Sequence, residues 1–521
     1  MIITLSFLAS AFDVFVNIII FLLVLSLVIC LHELGHLFFA KKAGVLCHEF
    51  SFGMGPKVWS KKKGETTYSI RAIPFGGFVS MAGEELESEV VEVGDSVRLG
   101  FDENQNVVEI IVDVNDKRYQ KYPEVRVSDI DLKNRENLHI NEYKVDEEAL
   151  YVTSKNKIQI APKDRRFSGK TKKERFLIAF GGPLMNFILA FIIYLLVAFS
   201  LGVPDGESTV VGEVSEDMPA ENVLQAGDKI VSINGVIINS WSEETPSIVS
   251  ELDKSVSEYE FVVERDAELL ALSPIEPKHF FYNLGFTLKT NTDELIIDQP
   301  IYVETELKSG DKIISIDGQE FSNIQELITF SNNFSAGSTE ENPTTITVDR
   351  DGNELTFEFV AYSEDVLNSL GYDTHFTRIG IETSSKFSFL GSFGNASQNF
   401  AGAATMIFST IRLLFISNNN VGVNDLSGFV GIFSMVRQAS TEGFVYLIQF
   451  IALLSVNLGI LNLLPIPALD GGRIVFIGYE AITKKKPNQK VENWLHTIVF
   501  FLLISLMIYV TYHDILRLIG I

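Results

Sequence analysis

The chain has 521 residues, 46% of them hydrophobic, and a formal net charge of −25. Its apolar residues are gathered in a few long runs, which excludes an ordinary soluble enzyme and points to a membrane protein. The acidic balance excludes a nucleic-acid partner, because a phosphate backbone would be repelled.

In chain order, four runs approach the roughly 20 apolar residues needed to cross a bilayer: 14–31, 176–201, 444–464 and 494–512. The first lacks the basic flank and cleavage site of a signal peptide and continues into HELGHLFFAKKAG, so it reads as a retained span. Basic residues cluster beside these runs at Lys41 and Lys42, Lys61 to Lys63, Lys170, Lys172, Lys173 and Arg175, and Lys484 to Lys486. Those loops belong in the cytoplasm. Residues 203–443 hold about 12 basic and about 38 acidic side chains, nearly the whole net charge, and belong outside. Cys30 and Cys47 lie near the cytoplasmic face, where a structural disulfide is not expected, and read as bystanders.

Between the first two spans, residues 68–81 (YSIRAIPFGGFVSM) read as a short strand-like hairpin, broken at Pro74, Gly76 and Gly77, that dips into the membrane. Residues 84–165 form a charged cytoplasmic insertion with no assignable ligand or nucleophile spacing. Beyond the second span, VLQAGDKIVSING at 223–235 repeats as ELKSGDKIISIDG at 306–318. Each copy pairs a Gly-Asp turn with an alternating strand and an Asn-Gly or Asp-Gly hairpin turn, a pattern that resembles the PDZ domain. Such domains commonly take an extended peptide at a sheet edge, so peptide termini are expected partners there, with a plain spacer as the alternative. Residues 394–416 are apolar, but Gln398, Asn399 and Arg412 make an amphipathic outer helix the better reading than a fifth span.

The chemistry begins where the first span enters His32-Glu33-Leu34-Gly35-His36. Helical spacing sets the two imidazoles one turn apart on one face, able to chelate one zinc ion. A catalytic zinc site uses three protein ligands and leaves a position for water. Glu33 is placed to polarise that water and pass its proton to the leaving amine. An HExxH string arises by chance in about one such chain in a hundred. Histidines capping a membrane helix are the plainer alternative, yet ionisable groups in a bilayer are costly and usually functional. The third ligand is suggested by NLGILNLLPIPALDGG at 457–472: Pro465 and Pro467 stop the helix, and Gly471 and Gly472 permit tight turns around Asp470. An ordinary turn aspartate is the alternative there. A fifth crossing would put Asp470 on the far side of the membrane from the histidines; four spans bring them together.

Taken together, HELGH ending a first span, GGPLMNF opening the second, the PDZ-like repeats and NLGILNLLPIPALDGG closing the third resemble the site-2 protease family in its regulator-of-sigma-E-protease type. The resemblance covers most of the chain outside the 84–165 insertion. It implies one zinc ion per chain held by His32, His36 and Asp470, with Glu33 catalytic and Asn462 in the substrate-binding region. It further implies a membrane-associated β-loop at Phe75, Gly76 and Gly77 that offers strand edges to an unwound substrate, and a substrate-contacting segment at Asn424 and Phe429. Phe429 stands where the family usually has proline after Ser-Gly, and Ala226 and Ser309 stand where proline commonly precedes Gly-Asp.

The expected fold is a polytopic α-helical membrane protein with four transmembrane helices, two inserted PDZ-like α+β domains and a membrane-associated β-hairpin. Its expected segments are 1–83 (first span and β-loop), 84–165 (insertion), 166–202 (second span), 203–290 and 291–385 (the PDZ-like domains), 386–443 (outer helix and linker) and 444–521 (third and fourth spans). The resemblance implies a bacterial inner-membrane zinc metalloendopeptidase with periplasmic PDZ-like domains and its active site near the cytoplasmic face. It acts on single-span membrane proteins amid membrane lipid: a trimmed anti-sigma factor in envelope stress signalling, and remnant signal peptides. A membrane-anchored PDZ adaptor and a zinc-moving protein are the rival classes: intact HELGH with Asp470 stands against the first, and Glu33 with the peptide-binding repeats against the second.

Overall fold

The computed structural model describes residues 2–83, 91–153, 157–254, 256–289, 294–301, 306–334, 336–339, 342–370, 372–414, 426–485 and 487–519; the sequence expectation for Asn424 lies outside them. Helices among these residues are α1 (Ile2–Lys42), α2 (Lys172–Leu201), α3 (Ile248–Leu252), α4 (Ile324–Asn333), α5 (Glu364–Leu370), α6 (Phe389–Leu413), α7 (Phe429–Glu442), α8 (Phe444–Leu463), α9 (Asp470–Thr483) and α10 (Gln489–Ile519). Four described stretches are long and apolar enough to cross a membrane: Phe12–Lys42, Lys172–Leu201, Phe444–Leu463 and Lys490–Leu516. The first runs past the predicted end at residue 31 because HELGHLFFAKK has no proline and its single glycine is tolerated inside a helix. It stops at Lys41 and Lys42, whose charges suit a helix C-terminus. The chain divides into two compact units, Met1–Ile193 with Phe429–Ile508, and Tyr194–Gly428 with Tyr509–Ile521.

In the first unit, strands Cys47–Lys63 and Thr66–Met81 form one long antiparallel hairpin that folds back on itself. Phe50 pairs with both Val79 and Tyr68, Ser51 with both Phe78 and Ser69, and Phe52 with both Gly77 and Ile70, so 49–52 is a central ply. The turn lies at Gly64 (φ +62°), which corrects the predicted hairpin at 68–81. Pro74 and Gly76 instead mark a bend that returns 77–80 across the sheet, and the Ser26 hydroxyl of α1 donates to the Pro74 carbonyl at 2.6 Å.

Residues predicted as a charged insertion fold into a seven-stranded sheet. Its path runs Glu124–Arg126, Ser96–Phe101, Val107–Ile111, Tyr143–Val152, His139–Ile140, Ile130–Asp131, with Lys157–Gln159 paired to Tyr143–Val152. Val97, Leu99, Ile110, Ile140 and Val145 make its core. Alternation buries one side of each strand and leaves the charges in water. The predicted 386–443 linker is also corrected: α7 packs Val436 and Phe433 against Phe21, Val24 and Val28 of α1 and Ile451 of α8.

The second unit contains two sheets of the same order. One runs Val236–Ile237, Lys229–Ile233, Phe261–Arg265, Glu268–Ala271; the other runs Gln319–Glu320, Lys312–Ile316, Thr344–Arg350, Asn353–Phe359. Each carries the same buried ion pair. Arg265 grips Asp228 with two hydrogen bonds of 2.6 and 2.7 Å, and Arg350 grips Asp311 with two of 2.7 Å. Both carboxylates also accept a backbone N–H, from Gln225 and Lys308 respectively. Burial would raise these carboxyls, but the guanidinium and amide bonds hold both below the usual carboxylate range.

The predicted boundary at 290/291 falls inside a third sheet of Ile297–Pro300, Phe286–Leu288, Lys278–Phe281 and His375–Arg378. Strand Ile381–Thr383 then pairs with Val211–Val214, far earlier in the chain. A local repeat marks equivalent strands and carries no record of such long-range partners. In the third sheet His279 and His375 lie across the strand pair, 3.1 Å apart between Nδ1 and Nε2, and stack at 5.4 Å beside Phe281.

Replacing Asp228 by Asn, or Arg265 by Ala, is expected to cost about 3 kcal/mol of second-unit stability by stranding one buried partner. Denaturation followed through Trp241 fluorescence reads this. Burial lowers both histidines to about 4, from an ordinary value of 6.5. The unfolded state therefore binds protons that the folded state refuses, so their contribution is full above about pH 6.5 and is lost as pH falls toward about 4. Replacing His279 by Gln is expected to flatten that acid limb of the unfolding profile.

Candidate active site

Helix α1 carries His32 and His36 one turn apart, with ring centroids 4.8 Å from each other. Both are buried at 6% exposure in the midst of an apolar helix. The space they need is made by α2. A Cβ on Gly35 would stand 2.0 Å from the Gly181 carbonyl oxygen, and one on Gly181 would stand 2.8 Å from the Gly35 oxygen, so the two backbones touch. A Cβ on Gly182 would lie 2.4 Å from His36 Nε2 and 2.7 Å from His32 Nε2. Glycine at 182 thus leaves open the volume in front of both imidazole nitrogens.

The outer nitrogens are also held. His36 Nδ1–H donates to the Ile178 carbonyl at 2.8 Å, which leaves the Nε2 lone pair facing inward. His32 Nδ1 lies 3.2 Å from the amide of Asn186, a fully buried side chain whose backbone carbonyl accepts from Ser455 Oγ of α8 at 2.9 Å. Asn186, within the GGPLMNF motif, was given no role in the sequence reading; an amide four residues beyond a glycine that faces histidines is the signal available for it.

Asp470 arrives from the break between α8 and α9. Pro465 and Pro467 cannot continue helix pairing, and Ala468 takes a positive φ of +80° with its N–H donating to His496 Nδ1 at 2.8 Å. Cβ atoms at Gly471 and Gly472 would meet the Leu464 and Ile466 carbonyl oxygens at 2.1 and 2.5 Å, so this turn admits only glycine. Asp470 is the first residue of α9, where the helix N-terminus favours a carboxylate.

These three side chains converge. Asp470 Oδ2 lies 3.0 Å from His32 Nε2 and 3.3 Å from His36 Nε2, and the two Nε2 atoms are 3.2 Å apart. Ligands about 2.0 Å from a tetrahedral zinc are about 3.3 Å from one another. Two imidazole nitrogens and one carboxylate oxygen at that spacing, with no side chain at Gly182 to fill the gap, fit such an ion. Glu33 is set beside them, its Oε2 accepting the Val79 N–H at 3.1 Å.

Of the other candidates, Phe75 and Phe429 meet edge to face at 5.6 Å. Gly76 lies over Ile29, and Gly77 is pressed against the Ser51 carbonyl, where a Cβ would come within 2.7 Å. Asn462, half-buried on the last turn of α8, makes no hydrogen bond with His32, His36 or Asp470 among the described residues.

Comparison with known proteins gives the same direction. The family model described as peptidase family M50 matches residues 20–506. The zinc metalloprotease RasP of Shouchella clausii is 33% identical over 507 residues, covering 96% of this chain and 98% of its own. The RasP proteins of Bacillus licheniformis and Oceanobacillus iheyensis are 32% identical over 514 residues and 31% identical over 509 residues, each covering 96% of this chain and 99% and 98% of their own.

Gly182→Ala is expected to abolish stoichiometric zinc in the purified protein, because its methyl group would occupy the space before both Nε2 atoms. Asn186→Ala is expected to weaken zinc retention by about 10–100-fold, as removal of an outer partner of a ligating histidine does. Metal analysis after graded chelator treatment measures both.

Proposed function

The chain belongs to peptidase family M50 and is a zinc metalloprotease of the site-2 type, and from that premise we propose that it cuts a peptide bond inside the transmembrane segment of single-span membrane proteins. His32, His36 and Asp470 hold the zinc, one per chain, and Glu33 is the general acid/base. The observation that carries the reading is the convergence of those three side-chain atoms within 3.0–3.3 Å of one another in the C-terminal part of a helix long and apolar enough to span a membrane, with Glu33 alongside.

Zinc at this position supplies Lewis acidity, lowering the pKa of a water and stabilising charge on the scissile carbonyl oxygen. Glu33 takes the proton from the attacking water at a carboxylate oxygen and delivers it to the nitrogen of the departing amine. Val79 N–H fixes the orientation of that carboxylate. A substrate helix must first unwind, since its carbonyls are otherwise internally bonded. Among the described residues, strand 77–80 pairs with 49–52 on one side only and turns the Val79 N–H toward Glu33. That free edge receives the unwound substrate as an added strand beside the zinc, with Phe75, Gly76, Gly77 and Phe429 shaping the entry. Asn424 and Asn462 complete the substrate-binding region.

The lysine clusters beside the spans and the acidic balance of 203–443 support a reading in which the active site lies near the cytoplasmic face of a bacterial cytoplasmic membrane and the PDZ-like repeats lie outside it. Each outer repeat is PDZ-like. A cavity of about 470 Å³ lined by Leu252, Tyr259, Met218, Gly380 and Ile381, with Arg378 at its rim, suits the terminus of an extended peptide. The two repeats act together as a filter that admits a substrate after its outer domain has been trimmed. A trimmed anti-sigma factor and remnant signal peptides are the substrate classes that fit.

Glu33→Gln is expected to retain zinc and to lose at least 100-fold of the cleavage of a single-span model substrate in liposomes, the size of a general acid/base contribution. Undiminished cutting by that zinc-loaded variant overturns the assignment.

A further inference from the structure

Around α1 from the histidines, Leu34, Leu37, Phe38, Lys41 and Lys42 line, with Met185 of α2, a groove of about 700 Å³. Its walls are hydrocarbon and thioether, and Leu34 and Phe38 are exposed. Its end is cationic. Lys41 is held in place, its ammonium donating to the Tyr68 hydroxyl at 3.0 Å and lying 5.3 Å from that ring's centroid. Lys42 has no carboxylate partner among the described residues. The Lys170 ammonium stands 3.6 Å from where a Cβ on Gly44 would be, adding a third positive charge at the end of α1.

Favourable interaction with the helix C-terminus accounts for lysines at 41 and 42, but not for an apolar slot that opens beneath them. An apolar channel ending in fixed ammonium groups at the membrane boundary is complementary to an amphiphile with an anionic head. We propose that this groove binds one anionic phospholipid, its acyl chain along Leu34, Phe38 and Met185 and its phosphate at Lys41 and Lys42. The groove borders the hairpin at Leu37 and at Lys41, which meets Tyr68, and opens away from it on its Leu34 and Phe38 wall. Ser26 and Glu33 face the hairpin, and Phe38 projects about 130° away from them around the helix. The lipid sits against the Gly35–Gly181 crossing, since Met185 Cγ is 2.8 Å from the position of a Gly35 Cβ. It therefore braces the helix pair that sets the histidines.

The test uses the full chain in neutral detergent, incubated with phosphatidylglycerol or phosphatidylcholine, with retained lipids counted by native mass spectrometry. One phosphatidylglycerol is expected to be retained at concentrations where phosphatidylcholine is not. Lys41→Gln and Lys42→Gln should each weaken its retention about fivefold, the effect of one basic side chain at an anionic surface. Lys61→Gln/Lys62→Gln, on the hairpin turn, should leave retention unchanged. Unchanged zinc content certifies the fold; should the double Lys41/Lys42 variant lose zinc, Lys42→Gln alone decides, since Lys42 bonds no other described side chain. Equal retention of both lipids, equal loss in the hairpin control, competition by free glycerol phosphate, or mole-for-mole displacement by a single-span substrate each overturns the proposal.

Discussion

Direct backbone contact between α1 and α2 at Gly35, Gly181 and Gly182 is the constraint on which the rest of the first unit depends. Between membrane helices there is little hydrophobic drive, so close approach through small residues and the dispersion it allows hold them together. Here the approach also sets chemistry. It brings the Ile178 carbonyl to His36 and the Asn186 amide to His32, and it leaves the space before both Nε2 atoms open. A single methyl group on any of these glycines would push the helices apart or fill the site.

The third candidate ligand comes by a different means. Helix α8 is joined to α2 through Ser455 and Asn186, then stops at a proline pair, and the carboxylate of Asp470 is presented at the first turn of a new helix. Interrupting the helix exposes backbone groups that lipid cannot satisfy. Gly471 and Gly472 let the Leu464 and Ile466 carbonyls pack closely against the turn, and His496 accepts the N–H that Ala468 would otherwise leave unpaired. Glu480, ten residues on, is bonded to Arg175 and Lys172 of α2, so the helix bearing Asp470 is secured at its far end to the helix that positions the histidines.

Much of this centre was legible in the sequence because its chemistry is written in short strings. HELGH sets two imidazoles and the carboxylate between them by helical spacing, the groups we propose as ligands and acid/base, and a lone aspartate after PxP and before Gly-Gly announces a carboxylate on a break. The four spans were legible for the same reason, being long and uninterrupted. What could not be read depends on partners distant in the chain. Asn186 looks like any asparagine until α1 is laid beside it. The doubling of the 47–81 hairpin arises from register shifts rather than from composition. The sheet in 91–159 hides behind a charged exterior, and Arg265 and Arg350 lie well beyond the repeated motifs whose aspartates they hold.

In the second unit, strand Val203–Pro204 pairs antiparallel with Ser385–Lys386, and Ser392 of α6 reaches back to the Ala198 carbonyl of α2. Everything from 205 to 384 thus leaves the main chain and rejoins it at one closed gate of two short strands. A segment attached in that manner behaves as a cassette: it can be lengthened, shortened or exchanged during evolution without altering the spacing between α2 and α6. Sequence and length changes can therefore accumulate beyond this strand pair while the hydrolytic centre stays under its own separate selection.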